Sequence, residues 1–542
     1  MSQNTSKIPD PIEAGLARGW STIDASTLEH DRTLEADVVI VGSGAGGAIS
    51  AEILARSGLS VIVVEEGPLK SSRDFTMREA DAYPQLYQES AARKTADKAI
   101  NILQGRAVGG STTVNWTSSF RTPEATLAWW RRHHYLPFAS SDELAPWFAM
   151  AERRTGVVDW LVGPNENNAI LRRGATKLGI SSAAIRRNVQ GCWNLGYCGM
   201  GCPTNAKQSM LVTSIPAALD HGATLVTRAR AERLRLRGQQ AEELVCTALG
   251  ADGVLPSGRQ LRLRARHFVV AGGAINSPAL LLRSKAPDPS GQLGKRTFLH
   301  PTVISAAFYE KRVEGWAGAP QSVYSDHFLS VDPIDGPMGY MLETPPLHPL
   351  LVATTMSGFG EQHAAAMRDL SHLGGMLALL RDGFHEESPG GVVRLRGDGS
   401  GELDYELNDY LWDGARRALL SMAEIQFAAG ARTVQPAHEK AQRYRSWAEA
   451  RREIAALPQR SHVTRVVSAH AMGGCAMSGD ERRGVVDPAG RYRGVANLSV
   501  HDGSLFPTSL GANPQLSIYA ITARLASGLA TDLTGRPAAA LA

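Results

Sequence analysis

The stretch that most constrains this chain runs from Asp37 to Glu66. An apolar run, Asp37 to Val41, leads directly into Gly42-Ser43-Gly44-Ala45-Gly46-Gly47. A segment of helical character, Gly47 to Ser57, and a second apolar run, Ser60 to Val64, follow. Strand, glycine turn, helix, strand is the start of a βαβ unit, which commits the chain to a parallel sheet with helices on its faces. The glycines in G-x-G-x-x-G allow a tight turn, close approach of a pyrophosphate and close packing of helix on strand. Gly42, Gly44, Ala45 and Gly47 are therefore candidate dinucleotide contacts, with the helix N-terminus facing the phosphates. Glu65 ends the second run, where a carboxylate can accept hydrogen bonds from both ribose hydroxyls of an adenine dinucleotide. Glu66 is the less suited neighbour. The pattern does not distinguish NAD from FAD.

A chain of 542 residues, 43% apolar and 20% charged, is an ordinary globular composition long enough for two domains. Another strand-like run, His267 to Val270, ends in Gly272-Gly273 and continues into a helical stretch, Ala279 to Ser284, repeating the first logic. Residues 299–364 are richer in strand formers and proline. Val392 to Arg396 and Leu403 to Leu407 flank Gly397-Asp398-Gly399-Ser400-Gly401 as a hairpin would. Ala418, Met422, Ile425 and Ala429 recur at helical spacing and predict a packed helix. The expected fold class is α/β (α+β overall): a Rossmann-like dinucleotide domain with a parallel sheet, and a substrate domain with an antiparallel sheet and helices. The expected boundaries are 34–120, 207–298 and 462–542 for the first and 121–206 and 299–461 for the second. Residues 1–33, polar and broken by Pro9 and Pro11, read as an arm.

Charge excludes some functions. The net charge of +4 comes from 57 basic and 53 acidic residues without a long block of one sign, so nucleic acid is not an expected partner. In Arg228 to Arg237, the densest basic stretch, charges alternate with apolar residues as on a solvated strand. No apolar run reaches the roughly 18 residues of a membrane span, and no export signal is recognisable, so the expected location is cytoplasmic, with peripheral membrane contact left open. Five cysteines do not make a disulfide scaffold, yet Cys192, Cys198 and Cys202 crowd together. Cys246 reads as a small buried hydrophobe.

Further motifs carry a resemblance. Gly105-Arg106-Ala107-Val108-Gly109-Gly110-Ser111-Thr112-Thr113-Val114-Asn115 resembles the first signature of the glucose-methanol-choline (GMC) oxidoreductases. Gly273-Ala274-Ile275-Asn276-Ser277-Pro278-Ala279-Leu280-Leu281-Leu282-Arg283 resembles the second, and Asn497 to Ser504 resembles the family's C-terminal flavin segment. The resemblance implies FAD as cofactor, with Gly105, Arg106, Gly109, Gly110 and Asn115 along the ring, Asp502 and Gly503 near the ribityl chain and phosphates, and Ala231 beside the adenine. It also implies that His470, in Ser468-Ala469-His470-Ala471-Met472-Gly473-Gly474-Cys475, and Asn513, in Gly511-Ala512-Asn513-Pro514, are the catalytic pair facing flavin N5. Histidine suits removal of a hydroxyl proton near neutral pH, and an uncharged asparagine can orient the alcohol oxygen. His462 and His501 read as structural.

The implied reaction is oxidation of an alcohol, primary and hydrophobic or long-chain, to its aldehyde by hydride transfer, with His470 as base. Glu343-Thr344-Pro345-Pro346-Leu347-His348-Pro349 and Leu380-Arg381-Asp382-Gly383 resemble the long-chain fatty alcohol oxidase subgroup. A sterol oxidase and an FAD-containing hydroxynitrile lyase are the alternatives. The C-x5-C-x3-C spacing of Cys192, Cys198 and Cys202 is similar to that of family sugar dehydrogenases holding a three-iron, four-sulfur cluster. Iron ligation, structural thiols and a disulfide all stay open, and so does the electron acceptor: dioxygen, or a redox partner such as a cytochrome or quinone. In the dehydrogenases an exported partner subunit accompanies the cluster, which would allow a periplasmic location.

Overall fold

A computed structural model of the chain describes residues 8–541, so the first seven residues of the expected arm lie outside the described part. The first sheet is built on Arg32–Val41, whose last four residues are buried, and on the wholly buried Val61–Val64. All-apolar, β-branched runs suit strands covered on both faces. Across this sheet the order is Ser21–Asp24, Thr224–Thr227, Val61–Val64, Arg32–Val41, Pro256–Val270, Gln240–Leu249 and Ala229–Arg237, with Leu498–Val500 also pairing with Pro256–Val270. The first five and Leu498–Val500 pair in parallel, and Gln240–Leu249 and Ala229–Arg237 add antiparallel. Val41 stands level with both Val64 and Val270. The carboxyl ends of three neighbouring strands therefore deliver Gly42, Glu65 and Gly272 to one edge, where ligands bind in sheets of this kind.

Two expectations need correction. The arm contains regular structure: Pro11–Ala17 is a helix capped by the Asp10 carboxylate, and Ser21–Asp24 is an edge strand paired with Thr224–Thr227. Pro11 sits at the helix start, where its missing N–H costs nothing, so it starts the helix that it was expected to break. Second, Ile100–Ile102 and Val466–Ser468, expected in the dinucleotide domain, pair with each other and extend the second sheet.

That second sheet runs Ile100–Ile102, Val466–Ser468, Thr302–Phe308, Leu373–Leu380, Tyr340–Glu343, Val323–Ser325 and Ala183–Ala184, with Thr433–Pro436 also pairing with Thr302–Phe308. Apart from the first pair it is antiparallel. The helix Asp409–Ala428 packs against it through Ala415, Ala418, Leu419 and Met422, all buried in one apolar cluster with Leu342, Met376 and Ala378. Val392–Leu395 and Gly401–Asp404 form the expected hairpin, Leu395 opposite Gly401. Among the described residues no helix is long and apolar enough to cross a membrane.

Candidate active site

A cavity of about 700 Å³, towards the upper end of the range for ligand pockets, lies against both sheets. One end is formed by the glycine turn, Glu65 and Ala231, the other by His470, Asn513 and Glu343. Of the residues picked out in the sequence, Gly42, Gly44, Ala45, Glu65, Gly105, Arg106, Gly110, Asn115, Ala231, Asp502, Gly503, His470 and Asn513 line it. Gly47 and Gly109 sit just behind. A Cβ on Gly47 would lie 1.9 Å from Gly42 O, and Gly109 N donates to Ser43 Oγ at 3.0 Å.

The glycine end is bare backbone. Gly42 has φ 100°, and Gly110 has φ 53° with its missing Cβ directed 2.8 Å from Gly44 Cα. Gly44 caps the helix Ala45–Arg56 without a side-chain hydrogen bond, which leaves first-turn amides available to an anion. Glu65 accepts from Ser43 N and Ser43 Oγ on Oε2, and from Gly67 N on Oε1. Of roughly four lone-pair sites on a carboxylate, these bonds leave one free, on Oε1. Burial raises its pKa against those bonds. Arg106 is held by an ion pair to Glu66 and a bond to Gly253 O, and the carbonyl of Ala231 accepts from Arg283. Asp502 draws two signatures together, accepting from Gly273 N at 2.7 Å and Ser277 Oγ at 2.5 Å on one oxygen and from Ser504 N on the other. An uncapped helix start, a glycine cradle and a buried carboxylate at the next strand end fit the pyrophosphate and ribose of FAD.

At the other end, Asn513 Nδ2 lies 3.4 Å from both His470 Nε2 and Glu343 Oε2. Val466–Ser468 carries His470 to this point, with the His470 amide donating to Ser468 Oγ. Burial pushes the pKa of His470 down to about 4. Glu343 was not singled out as a site residue. It is fully buried, accepts from Gln321 Nε2 at 2.7 Å and has no partner for Oε1; burial pushes its pKa up to about 8. A carboxylate closing the otherwise apolar, wholly buried strand Tyr340–Glu343 was the signal that could have found it. His300 was missed too. It faces His470 from behind, Nδ1 to Nδ1 at 3.2 Å. Asn115 reaches the C-terminal helix, its Nδ2 donating to Gln515 Oε1 at 2.6 Å.

The three crowded cysteines lie beside this chamber. Cys198 Sγ is 3.6 Å from Arg187 Nη2, and burial raises its pKa. Burial opposes ionisation of Cys202, but hydrogen bonds from Thr204 and Lys207 outweigh it and hold its pKa below the ordinary value. Lys207, its pKa pushed down to about 8 by burial, donates from Nζ to the carbonyls of Thr113, Asn115 and Cys198, tying this loop to the first signature. All five cysteines are free thiols, and among the described residues no three His, Cys, Asp or Glu side chains converge as a ligand set. The disulfide alternative is thereby set aside. His501 is structural as expected, with Nδ1 2.9 Å from Ser50 Oγ in the core.

Comparison with known proteins bears on this geometry. GMC oxidoreductase family models match residues 83–302 and 388–522. A long-chain-alcohol oxidase of Arabidopsis thaliana is 28% identical over 520 residues, covering 91% of this chain and 67% of the relative. An uncharacterised GMC-type oxidoreductase of Mycobacterium tuberculosis is 32% identical over 504 residues, covering 92% and 76%. Among solved structures, an Aspergillus oryzae formate oxidase superposes with a TM-score of 0.67 at 14% identity, over 92% of this chain and 98% of that one. Pyridoxine 4-oxidase from Mesorbium loti does so with a TM-score of 0.62 at 20% identity, over 90% and 98%. At these identities the structures speak for the fold alone.

Proposed function

Because the chain belongs to the GMC oxidoreductases, FAD-dependent enzymes acting on CH–OH donors, we propose that it oxidises a hydrophobic, long-chain primary alcohol to the aldehyde at the His470, Asn513 and Glu343 end of its cavity. The observation that carries this reading is the convergence of those three polar groups at hydrogen-bonding range beside the glycine cradle. The residues at Gly42 to Ala45, Glu65, Gly110 and Asp502 would hold FAD, which would supply the two-electron acceptor.

The chain's own residues do the rest. Asn513 and His470 orient the alcohol oxygen, so that the carbinol carbon is held in one pose and the entropy of encounter is spent on binding. Leu377 and Leu379 line the same end and offer an apolar wall to the carbon chain. Two groups at this end can take the hydroxyl proton: the His470 imidazole, kept neutral by burial, and Glu343 once it is ionised, its pKa being pushed up to about 8. Burial excludes water, which strengthens every polar contact made there. A long-chain substrate and dioxygen as final acceptor are supported by likeness to the long-chain-alcohol oxidase. The spacing of Cys192, Cys198 and Cys202 is the one support for an iron-sulfur cluster, so the proposed route passes no electron through iron.

The test is product analysis of the FAD-loaded enzyme in air with a long-chain primary alcohol, a sterol and a hydroxynitrile in parallel. Aldehyde from the primary alcohol is the expected result. Ketone from the sterol alone, or hydrogen cyanide release without flavin reduction, would transfer the assignment to the sterol or lyase reading.

A further inference from the structure

One guanidinium joins two separate loops at the Glu65 end of the cavity. Arg106 Nε lies 3.3 Å from Glu66 Oε1, and Arg106 Nη2 donates to the carbonyl of Gly253. The Arg106 amide donates to Leu86 O at 2.7 Å, so the side chain starts from a fixed point. The planar fork of arginine holds both partners at once, which a lysine cannot do. Arg106 was expected along the flavin ring. Its charge is instead committed beside Glu66, one residue from the carboxylate that suits a ribose.

Gly253 lies in the turn between the strands Gln240–Leu249 and Pro256–Val270. Its φ of 67° is left-handed, and its amide donates to Gly250 O at 2.8 Å. Asp252 Oδ1 accepts from the amides of Val254 and Leu255 at 2.8 and 3.1 Å, and Gly250 N donates to Leu255 O. The turn is closed within itself, and Arg106 ties it to the first signature. This shape sets Val254 in the cavity wall although 59% of it is exposed, with Leu255 64% exposed beside it. Bare apolar area at the rim of a ligand cavity is area that a ligand can still bury.

The charged groups nearby are already matched. Arg230 Nε lies 2.8 Å from Glu232 Oε1, and Arg283 spends Nε, Nη1 and Nη2 on the carbonyls of Glu232, Gly399 and Ala231. With these guanidinium groups committed, this end of the cavity suits a flat, uncharged ring with apolar faces better than a phosphate.

We infer that Arg106 is a positioning residue that latches the turn 250–255 over the adenine of bound FAD, with Val254 covering one face of the ring. The inference rests on FAD as the occupant of the cavity and is independent of which alcohol is oxidised. Adenine has the chemistry this rim asks for, an aromatic ring without charge at neutral pH whose faces lose water on binding. Arg106 acts through the turn. Without it Gly253 O loses a charged donor and the partly buried Glu66 loses its cation, so the turn opens and FAD leaves faster.

Release of FAD from the loaded protein, read as the rise in flavin fluorescence after dilution, measures the latch. Arg106→Gln should release FAD about tenfold faster or more, the share of one hydrogen bond to a charged group. Val254→Ser should release it about fivefold faster, through lost burial of the area now exposed. Both act through one turn, so the double variant should stay within about twofold of Arg106→Gln alone, whereas two unrelated structural defects would multiply to about fiftyfold. Hydrogen exchange gives the location. Amides of 250–255 should exchange more slowly with FAD bound than in protein stripped of FAD, and Arg106→Gln should abolish that difference, with Val61–Val64 as the fold control. Should Arg106→Gln fail to fold, Val254→Ser at the bare tip and Arg106→Lys, which can keep one partner but not both, carry the same test. Val254→Ser releasing FAD within about twofold of wild type, rates that multiply in the double variant, or exchange at 250–255 that ignores FAD overturns the inference while FAD binding stands. Protein that binds no FAD overturns both that reading and this one.

Discussion

Asp382 is the anchor on which the site geometry depends, and Asp382→Asn measures how much. Its Oδ1 accepts from His300 N at 3.1 Å, and its Oδ2 from Leu299 N at 3.0 Å and Tyr405 Oη at 2.7 Å. Its own carbonyl accepts from Ser509 Oγ at 2.6 Å, which reaches toward the Asn513 segment. Asparagine keeps the shape but has one acceptor oxygen. If that oxygen retains the Leu299 and Tyr405 bonds, the amide NH₂ faces the His300 N–H, donor against donor. The loss is one charge-assisted bond, with the buried amide of His300 left unsatisfied and the other two bonds weakened. Together these come to about 3 kcal/mol. With an unfolding entropy of about 2 cal/mol/K per residue, 542 residues give about 1.1 kcal/mol/K, so the melting midpoint should fall by about 3 °C. The catalytic cost should be larger in proportion. Release of His300 loosens His470, and a displacement approaching 1 Å can slow a reaction about 100-fold, so we expect at least tenfold slower flavin reduction at saturating alcohol. Differential scanning fluorimetry and stopped-flow absorbance read the two effects. Asp159→Asn, a mostly exposed carboxylate paired with Arg186, serves as control and should change neither. An Asp382→Asn protein melting within 1 °C of wild type and reducing flavin at the wild-type rate would refute the anchoring role.

Three other outcomes follow from the same geometry. Gly110→Ala places a methyl 2.8 Å from Gly44 Cα at a left-handed backbone position, so FAD retained after desalting, read as flavin absorbance per chain, should fall about tenfold or more while circular dichroism is unchanged. Glu343 has a folded-state pKa raised from 4.5 to about 8, so between those values the folded protein holds a proton that the unfolded chain has released. The Glu343 contribution to stability therefore falls as pH rises across that window, and the melting midpoint of Glu343→Gln should gain on wild type from pH 4.5 to 8; a constant gap would contradict the shift. Metal analysis of the purified protein should find FAD without stoichiometric iron, and about three irons per chain would restore a cluster at Cys192, Cys198 and Cys202.

What the sequence disclosed and what it hid divide along the range of the interactions. The turn at Gly42 to Gly47, its flanking strands and Glu65 are readable because a βαβ unit is specified by neighbours within about 30 residues. The hairpin at Val392 to Asp404 and the helix at Asp409 to Ala428 are local in the same sense. Residues 21–24 were unreadable as a strand because their partner, Thr224–Thr227, lies some 200 residues away and the four residues are polar or half-buried. Ile100–Ile102 and Val466–Ser468 look like any short apolar run, and their sheet is decided by mutual pairing. His470 and Asn513 came from motif resemblance, which named the residues but not their protonation. His300, whose Nδ1 lies 3.2 Å from His470 Nδ1, gave no such signal, because the two are brought together only in the folded chain. Glu343 left a trace, a carboxylate in a buried strand, that gains meaning once Asn513 is seen beside it.

The central claim is that an alcohol bound against His470, Asn513 and Glu343 passes its electrons to FAD in this cavity. The most direct measurement is an anaerobic visible spectrum of the FAD-loaded protein before and after a long-chain primary alcohol is added. Bleaching of the flavin bands, with one aldehyde formed per flavin reduced, is the predicted result. A flavin that stays oxidised with saturating long-chain alcohol present would contradict the account.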